Sequence, residues 1–187
     1  MQTLAVMNFC HHGPMAYIDL GLDETRNPGI RGLLQYRPET GKPLSELAEV
    51  LLRGESTLTR GEREYLAASV SRLNNCTFCA GSHGAMAAAQ GMPADAPVPG
   101  KLRALLAIAE AVTVGGHAVT PALIADAHDT GATDLEIHDT VLIAAAFSMF
   151  NRYVDALGTL APSDPRSYEM GAAHIVAGGY LLPPTPR

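Results

Sequence analysis

From residue 28 onward, apolar side chains recur at steps of three and four, the period of a helix with one buried face. Ile30, Leu33 and Leu34 mark a first short segment, and Leu44, Leu47, Val50 and Leu51 a second, with Pro38 and Pro43 expected to separate them. Thr59 and Glu62 have capping-box spacing ahead of Leu66, Val70 and Leu73, which predicts a helix over about 60–74. Asn74 and Asn75 then supply turn-tolerant residues before an Ala-rich run over 76–90 that stops at Gly91 and Pro93. Further helices are expected over 101–114, closed by Gly115 and Gly116, and from Thr120 and Pro121, which hold cap and first-turn positions. Thr133 and Glu136 repeat the capping-box spacing at the head of a long helix reaching 157, apolar almost all round in its middle and so either central or an oligomer contact. A last helix is expected over 165–177.

No run of alternating apolar and polar residues follows residue 20, so the fold class is all-α, a bundle of about seven or eight helices. Residues 1–27 lack a period and read as an irregular N-terminal arm, and 28–187 as one helical domain. A chain of 187 residues, 47% hydrophobic and 17% charged, suits a single globular core. Its net charge of −6, with Lys42 and Lys101 the only lysines, argues against a nucleic-acid partner and against an anionic membrane surface. The longest apolar stretch, 141–150, is about half of what a bilayer span needs. Without a secretory signal at the N-terminus, a cytoplasmic protein with reduced cysteines is expected.

The chemistry concentrates in one place. Glu64 precedes Cys76, Thr77, Phe78 and Cys79, and His83 follows. On a helix, positions 76, 79 and 83 project within about 60° of one another, so two sulfurs and an imidazole share a face. A helix beginning near Cys76 would favour a thiolate at its start, and two thiols at this spacing can close a disulfide after one is oxidised. Glu64, on the preceding helix, can reach this face if the two helices pack antiparallel, forming a carboxylate–imidazole pair that moves protons. Rival readings are two small buried cysteines, a zinc site completed by Glu64 or a neighbouring subunit, and a solvent-facing Glu64 in a first helical turn. His117, His128, His138 and His174 have no partner at ligand spacing and receive no role. Cys10, His11 and His12 resemble a metal patch without a fourth ligand and are read as incidental. Arg152 and Asp155, three apart, suit a surface ion pair beside Asn151.

The pattern of Glu64, Cys76, Cys79 and His83 resembles the signature of alkyl hydroperoxidase D-like proteins of the carboxymuconolactone decarboxylase superfamily, and the text over 59–90 is similar to their peroxidase-related branch. Weaker similarity through 147–158 extends the resemblance over 28–170. The resemblance implies an all-helical homo-oligomer, a trimer or hexamer, that reduces hydroperoxides with no metal or other cofactor. It implies that Cys79 is attacked by hydroperoxide, that Cys76 closes the disulfide, and that Glu64 and His83 relay protons. An external thiol (a small dithiol, a lipoyl-bearing protein or a thioredoxin-like protein) would regenerate the pair. One position departs: the best-known members carry a second relay His before the second Cys, and Phe78 stands there. Alternatives within the same residues are a decarboxylase-type lyase, which has no need of two cysteines, and a dithiol redox sensor without turnover.

Overall fold

The computed structural model describes residues 15–181, and these are helical apart from connections. The helices are α1 (Ile30–Tyr36), α2 (Pro38–Arg53), α3 (Arg60–Leu73), α4 (Thr77–Ala89), α5 (Gly100–Val114), α6 (Pro121–Asp129), α7 (Asp134–Ala156) and α8 (Pro165–Gly178), with a short 3₁₀ turn at Gly116–Ala118. Cys10, His11 and His12 lie outside the described residues. No helix among the described residues is long and apolar enough to cross a membrane.

Both capping boxes form. Thr59 and Thr133 accept from the backbone N–H of Glu62 and Glu136, and each glutamate reaches back to the cap N–H. The expected break at Pro43 does not occur. Pro38 starts α2, and Pro43 lies inside it, where its missing N–H forfeits one bond in the second turn while Ser45, Ala48, Leu51 and Leu52 still bury one face. The apolar middle of α7 is central: Ile143, Ala144, Phe147 and Phe150 are buried with Leu66 and Val70 of α3 and Leu102, Leu105 and Ile108 of α5. Against this core α3 and α4 pack as an antiparallel pair, and α8 closes over α4. Gly61 permits that pair, because a Cβ there would lie 2.5 Å from the carbonyl oxygen of Gln90 at the end of α4.

Residues 15–29 are irregular but docked. Tyr17 and Gly29 donate backbone bonds to Leu157 and Leu160, and the buried carboxylate of Glu24 accepts from the N–H groups of Ala16 and Leu160.

A buried acid ties the far end of the bundle. Glu136, 1% exposed, accepts from Lys101 Nζ at 2.7 Å, Thr57 Oγ1 at 2.8 Å and the N–H of Thr133 at 2.8 Å, joining α5, the α2–α3 loop and α7. Burial alone would raise its pKa; the hydrogen bonds led by Lys101 outweigh it and hold the carboxyl at about 2. A folded value below the ordinary 4.5 means that this stabilisation is complete above pH 4.5 and is lost as pH falls toward 2. Glu136→Gln should therefore lower unfolding stability by about 2 kcal/mol at neutral pH. Urea titrations across pH should show the gap from wild type narrowing below pH 4.5; a gap independent of pH would contradict the assignment.

Candidate functional site

The turn between α3 and α4 sets the cysteines. Asn75 adopts a left-handed backbone, φ 59°, which Asn tolerates, and the Cys76 N–H closes on Ser71 O at 3.0 Å. Asn151 of α7, buried, fastens this turn: its Nδ2 donates to Ser71 Oγ at 3.0 Å and its Oδ1 accepts from Asn74 at 2.9 Å. Cys76 is thus the N-cap of α4, Cys79 its third residue, and His83 lies one turn further on the same face.

The four residues of the sequence pattern are all buried, with Cys76 and Cys79 unbridged. Glu64 is 1% exposed, so the solvent-facing reading of it is wrong. Its Oε2 lies 2.6 Å from His83 Nδ1 across the α3–α4 contact. The imidazole is held edge-on against Phe147, centroids 4.5 Å apart. With Nδ1 committed to the carboxylate, Nε2 is the free ring nitrogen.

Sequence reasoning missed Tyr180. Its hydroxyl donates to Glu64 Oε1 at 2.6 Å, so both carboxylate oxygens are engaged. Burial first, and then the Glu64 charge, push the phenol well above its ordinary pKa, so it remains a donor. Arg53 of α2 donates to the carbonyl oxygens of Ile175 and Val176, and Glu49 accepts from the Tyr180 N–H at 2.7 Å; together they anchor the end of α8 that delivers Tyr180. A lone tyrosine after two glycines carries no periodic signal.

The two sulfurs have unlike environments. Cys79 is lowered, first by a hydrogen bond from Cys76, against burial, and further by the charge of His83 and a bond from Asn151. Cys76 is raised, first by the same bond to Cys79, then by burial, with Asp155 adding to it. Arg152 does not pair with Asp155; it donates to Ser148 O, while Asp155 lies on the Cys76 side. Among the described residues no cluster of three or more His, Cys, Asp or Glu side chains has the geometry to hold a metal ion.

Cys79 and His83 line an internal cavity of about 60 Å³ with Leu34, Phe78, Phe147 and Tyr180; Cys76 does not line it. Phe78 is seated: its ring lies against Gly29, where φ is +58° and a Cβ would lie 2.2 Å away, and it is 6.2 Å from the Tyr168 ring. The departure at Phe78 therefore supplies an apolar wall in place of a second imidazole.

Two measurements test this geometry. Alkylation by iodoacetamide, mapped by peptide mass, should modify Cys79 before Cys76, with a pH midpoint below that of an ordinary thiol; equal labelling would refute the asymmetry. Tyr180→Phe should cost about 2 kcal/mol by urea unfolding and couple to Glu64→Gln by more than about 0.5 kcal/mol in a double-mutant cycle, whereas additivity would show the hydroxyl does not act through Glu64.

Residues 38–97, which run from α2 past α4 and contain all four pattern residues, match the Carboxymuconolactone decarboxylase family. An uncharacterized peroxidase-related protein from Silicibacter sp. TM1040 shares the fold at a TM-score of 0.67 and 23% identity, over 84% of this chain and 95% of that one. An uncharacterized peroxidase-related protein from Ralstonia eutropha JMP134, described as an alkylhydroperoxidase AhpD core, does so at a TM-score of 0.67 and 24% identity, over 87% and 98%. No curated protein sequence matches. The family match thus spans α2–α4, about a third of the chain, and the helical fold around it is that of these two solved structures.

Proposed function

We propose that the protein is a thiol-dependent peroxidase that reduces hydroperoxides through Cys79 and Cys76, with Glu64 and His83 as the proton relay. The observation that carries this reading is that Cys79, the sulfur whose pKa is lowered, lines an apolar cavity together with His83, while Cys76 lies behind it.

His83 Nε2 takes the Cys79 proton, and the Glu64 carboxylate stabilises the resulting imidazolium through Nδ1–H. The thiolate attacks the outer oxygen of the hydroperoxide, the O–O bond breaks, and the leaving alkoxide recovers the proton from His83. The products are an alcohol and the sulfenic acid of Cys79. The sulfur of Cys76 then displaces hydroxide from that sulfenic acid, its own proton completing a water molecule, and the disulfide forms. An external dithiol, whether a small molecule, a lipoyl-bearing protein or a thioredoxin-like protein, reduces the bond and returns both thiols. The raised pKa of Cys76 suits the second role, since a neutral thiol donates its hydrogen bond to the Cys79 thiolate until it is needed.

Residues 28–187 act as one domain in this reading, in a reducing, cytoplasmic setting. Leu135, Leu142 and Met149 stand exposed at seven-residue intervals along α7, an apolar stripe that supports a homo-oligomer, trimeric or hexameric.

Peroxide consumption with dithiothreitol tests the proposal. Cys79→Ser should abolish turnover, Cys76→Ser should stop efficient cycling, and Glu64→Gln should slow it about 100-fold. One oxidation per chain without cycling would make the pair a redox sensor, and activity that ignores both cysteines would overturn the thiol mechanism and favour the lyase.

A further inference from the structure

The cavity at Cys79 is the innermost of three adjoining spaces that share walls. Ile30, Leu34, Phe78, His83 and Tyr180 wall both it and a second chamber of about 120 Å³ beneath α8. That chamber in turn shares Pro28, Arg31, Pro162, Ser167 and Gly171 with an open surface cleft of about 740 Å³. Polarity is graded across the three spaces. The two inner chambers are bounded mainly by aliphatic and aromatic side chains, whereas Arg26, Arg31, Asp164 and His174 face the outer cleft.

The charges of the cleft cancel in pairs except at one residue. Arg26 is held by Asp23 at 3.5 Å, and Asp164 by Arg166 at 3.0 Å; Arg31 makes no ion pair among the described residues. In a chain of net charge −6, an uncommitted guanidinium on the wall shared by the apolar chamber and the surface cleft is a local reversal of sign. The inner end holds a second uncommitted group. Ser45, 2% exposed, lines the Cys79 cavity, and its Oγ has no partner, although a helical serine ordinarily bonds the carbonyl four residues back. A buried hydroxyl left open in an apolar chamber is placed to meet an oxygen atom of a ligand.

We propose that the three spaces form one path and that it takes the hydroperoxide of an apolar carboxylic acid. The carboxylate pairs with Arg31 at the mouth, the hydrocarbon fills the chambers walled by Ile30, Leu34 and Phe78, and the peroxide oxygens lie between Ser45 Oγ and Cys79. This deepens the peroxidase reading and rests on it for the chemistry, but the path itself can be tested without turnover.

The full chain is assayed with dithiothreitol on linoleic acid hydroperoxide and on its methyl ester, which differ only in the charged end. Wild type should favour the acid by roughly fivefold or more in kcat/KM, and Arg31→Gln should erase that ratio through KM. Because each variant is its own reference, general damage to the fold does not move the ratio. Equal use of acid and ester by wild type, or a ratio that survives Arg31→Gln, overturns the proposal while leaving the peroxidase standing. Calorimetry with decanoate, which has no peroxide bond, reads the path alone. Binding that weakens in Arg31→Gln supports it even if no hydroperoxide is turned over, in which case the peroxidase reading fails separately. Decanoate that does not bind overturns the path.

Discussion

A carboxylate in the dry interior of a helical bundle is costly unless its charge and lone pairs are met, and the arrangement around Glu64 follows from meeting them. One oxygen takes His83, which fixes how α4 lies against α3. The other takes the Tyr180 hydroxyl, which requires the chain after α8 to return to the core. The same carboxylate selects the nitrogen through which His83, a residue of the cavity wall, is held, and leaves Nε2 uncommitted. Helix packing, closure of the C-terminal segment and orientation of the imidazole thus share one electrostatic cause.

The difference between the two sulfurs comes from the geometry of a helix start. Cys76, as N-cap, is turned toward the α3–α4 corner and Asp155, where negative charge is disfavoured. Cys79, one turn inward, sits with His83 and Asn151, and both favour a thiolate there. A single hydrogen bond between the thiols reinforces the division, because it lowers one by as much chemistry as it withholds from the other. Two residues of the same type, three apart, need no further device to differ in reactivity.

The helices were legible because their signals are local. Capping boxes at Thr59 and Thr133 and the apolar period of each segment depend on neighbours within a few residues, and the ends of α3, α4, α5, α7 and α8 fall within a residue or two of expectation. Pro43 misled because the buried face of α2 outweighs one lost hydrogen bond, a tertiary effect. The core of the candidate site was equally legible, since Cys76, Cys79 and His83 share one helix and Glu64 the adjacent one. What was not legible lies far along the chain from it. Tyr180 is 116 residues from Glu64, and Asn151 is 80 from Ser71. Asp155 was assigned to Arg152 by spacing alone, whereas the fold turns it toward Cys76.

The departure at Phe78 has a partner that explains how the fold bears it. A ring of that size in the second position of α4 needs room where residues 15–29 cross, and Gly29, with positive φ and no side chain, provides it. The irregular segment before α1 is therefore part of the site's wall, and it is pinned to the loop after α7 through Glu24 and the backbone of Leu157 and Leu160. Segments held by a few backbone bonds open more readily than packed helices. The irregular stretches 15–29 and 179–181 thus back Phe78 through Gly29 and supply Tyr180 to the cavity wall, while Glu64, Cys79 and His83 rest on the packed pair α3 and α4.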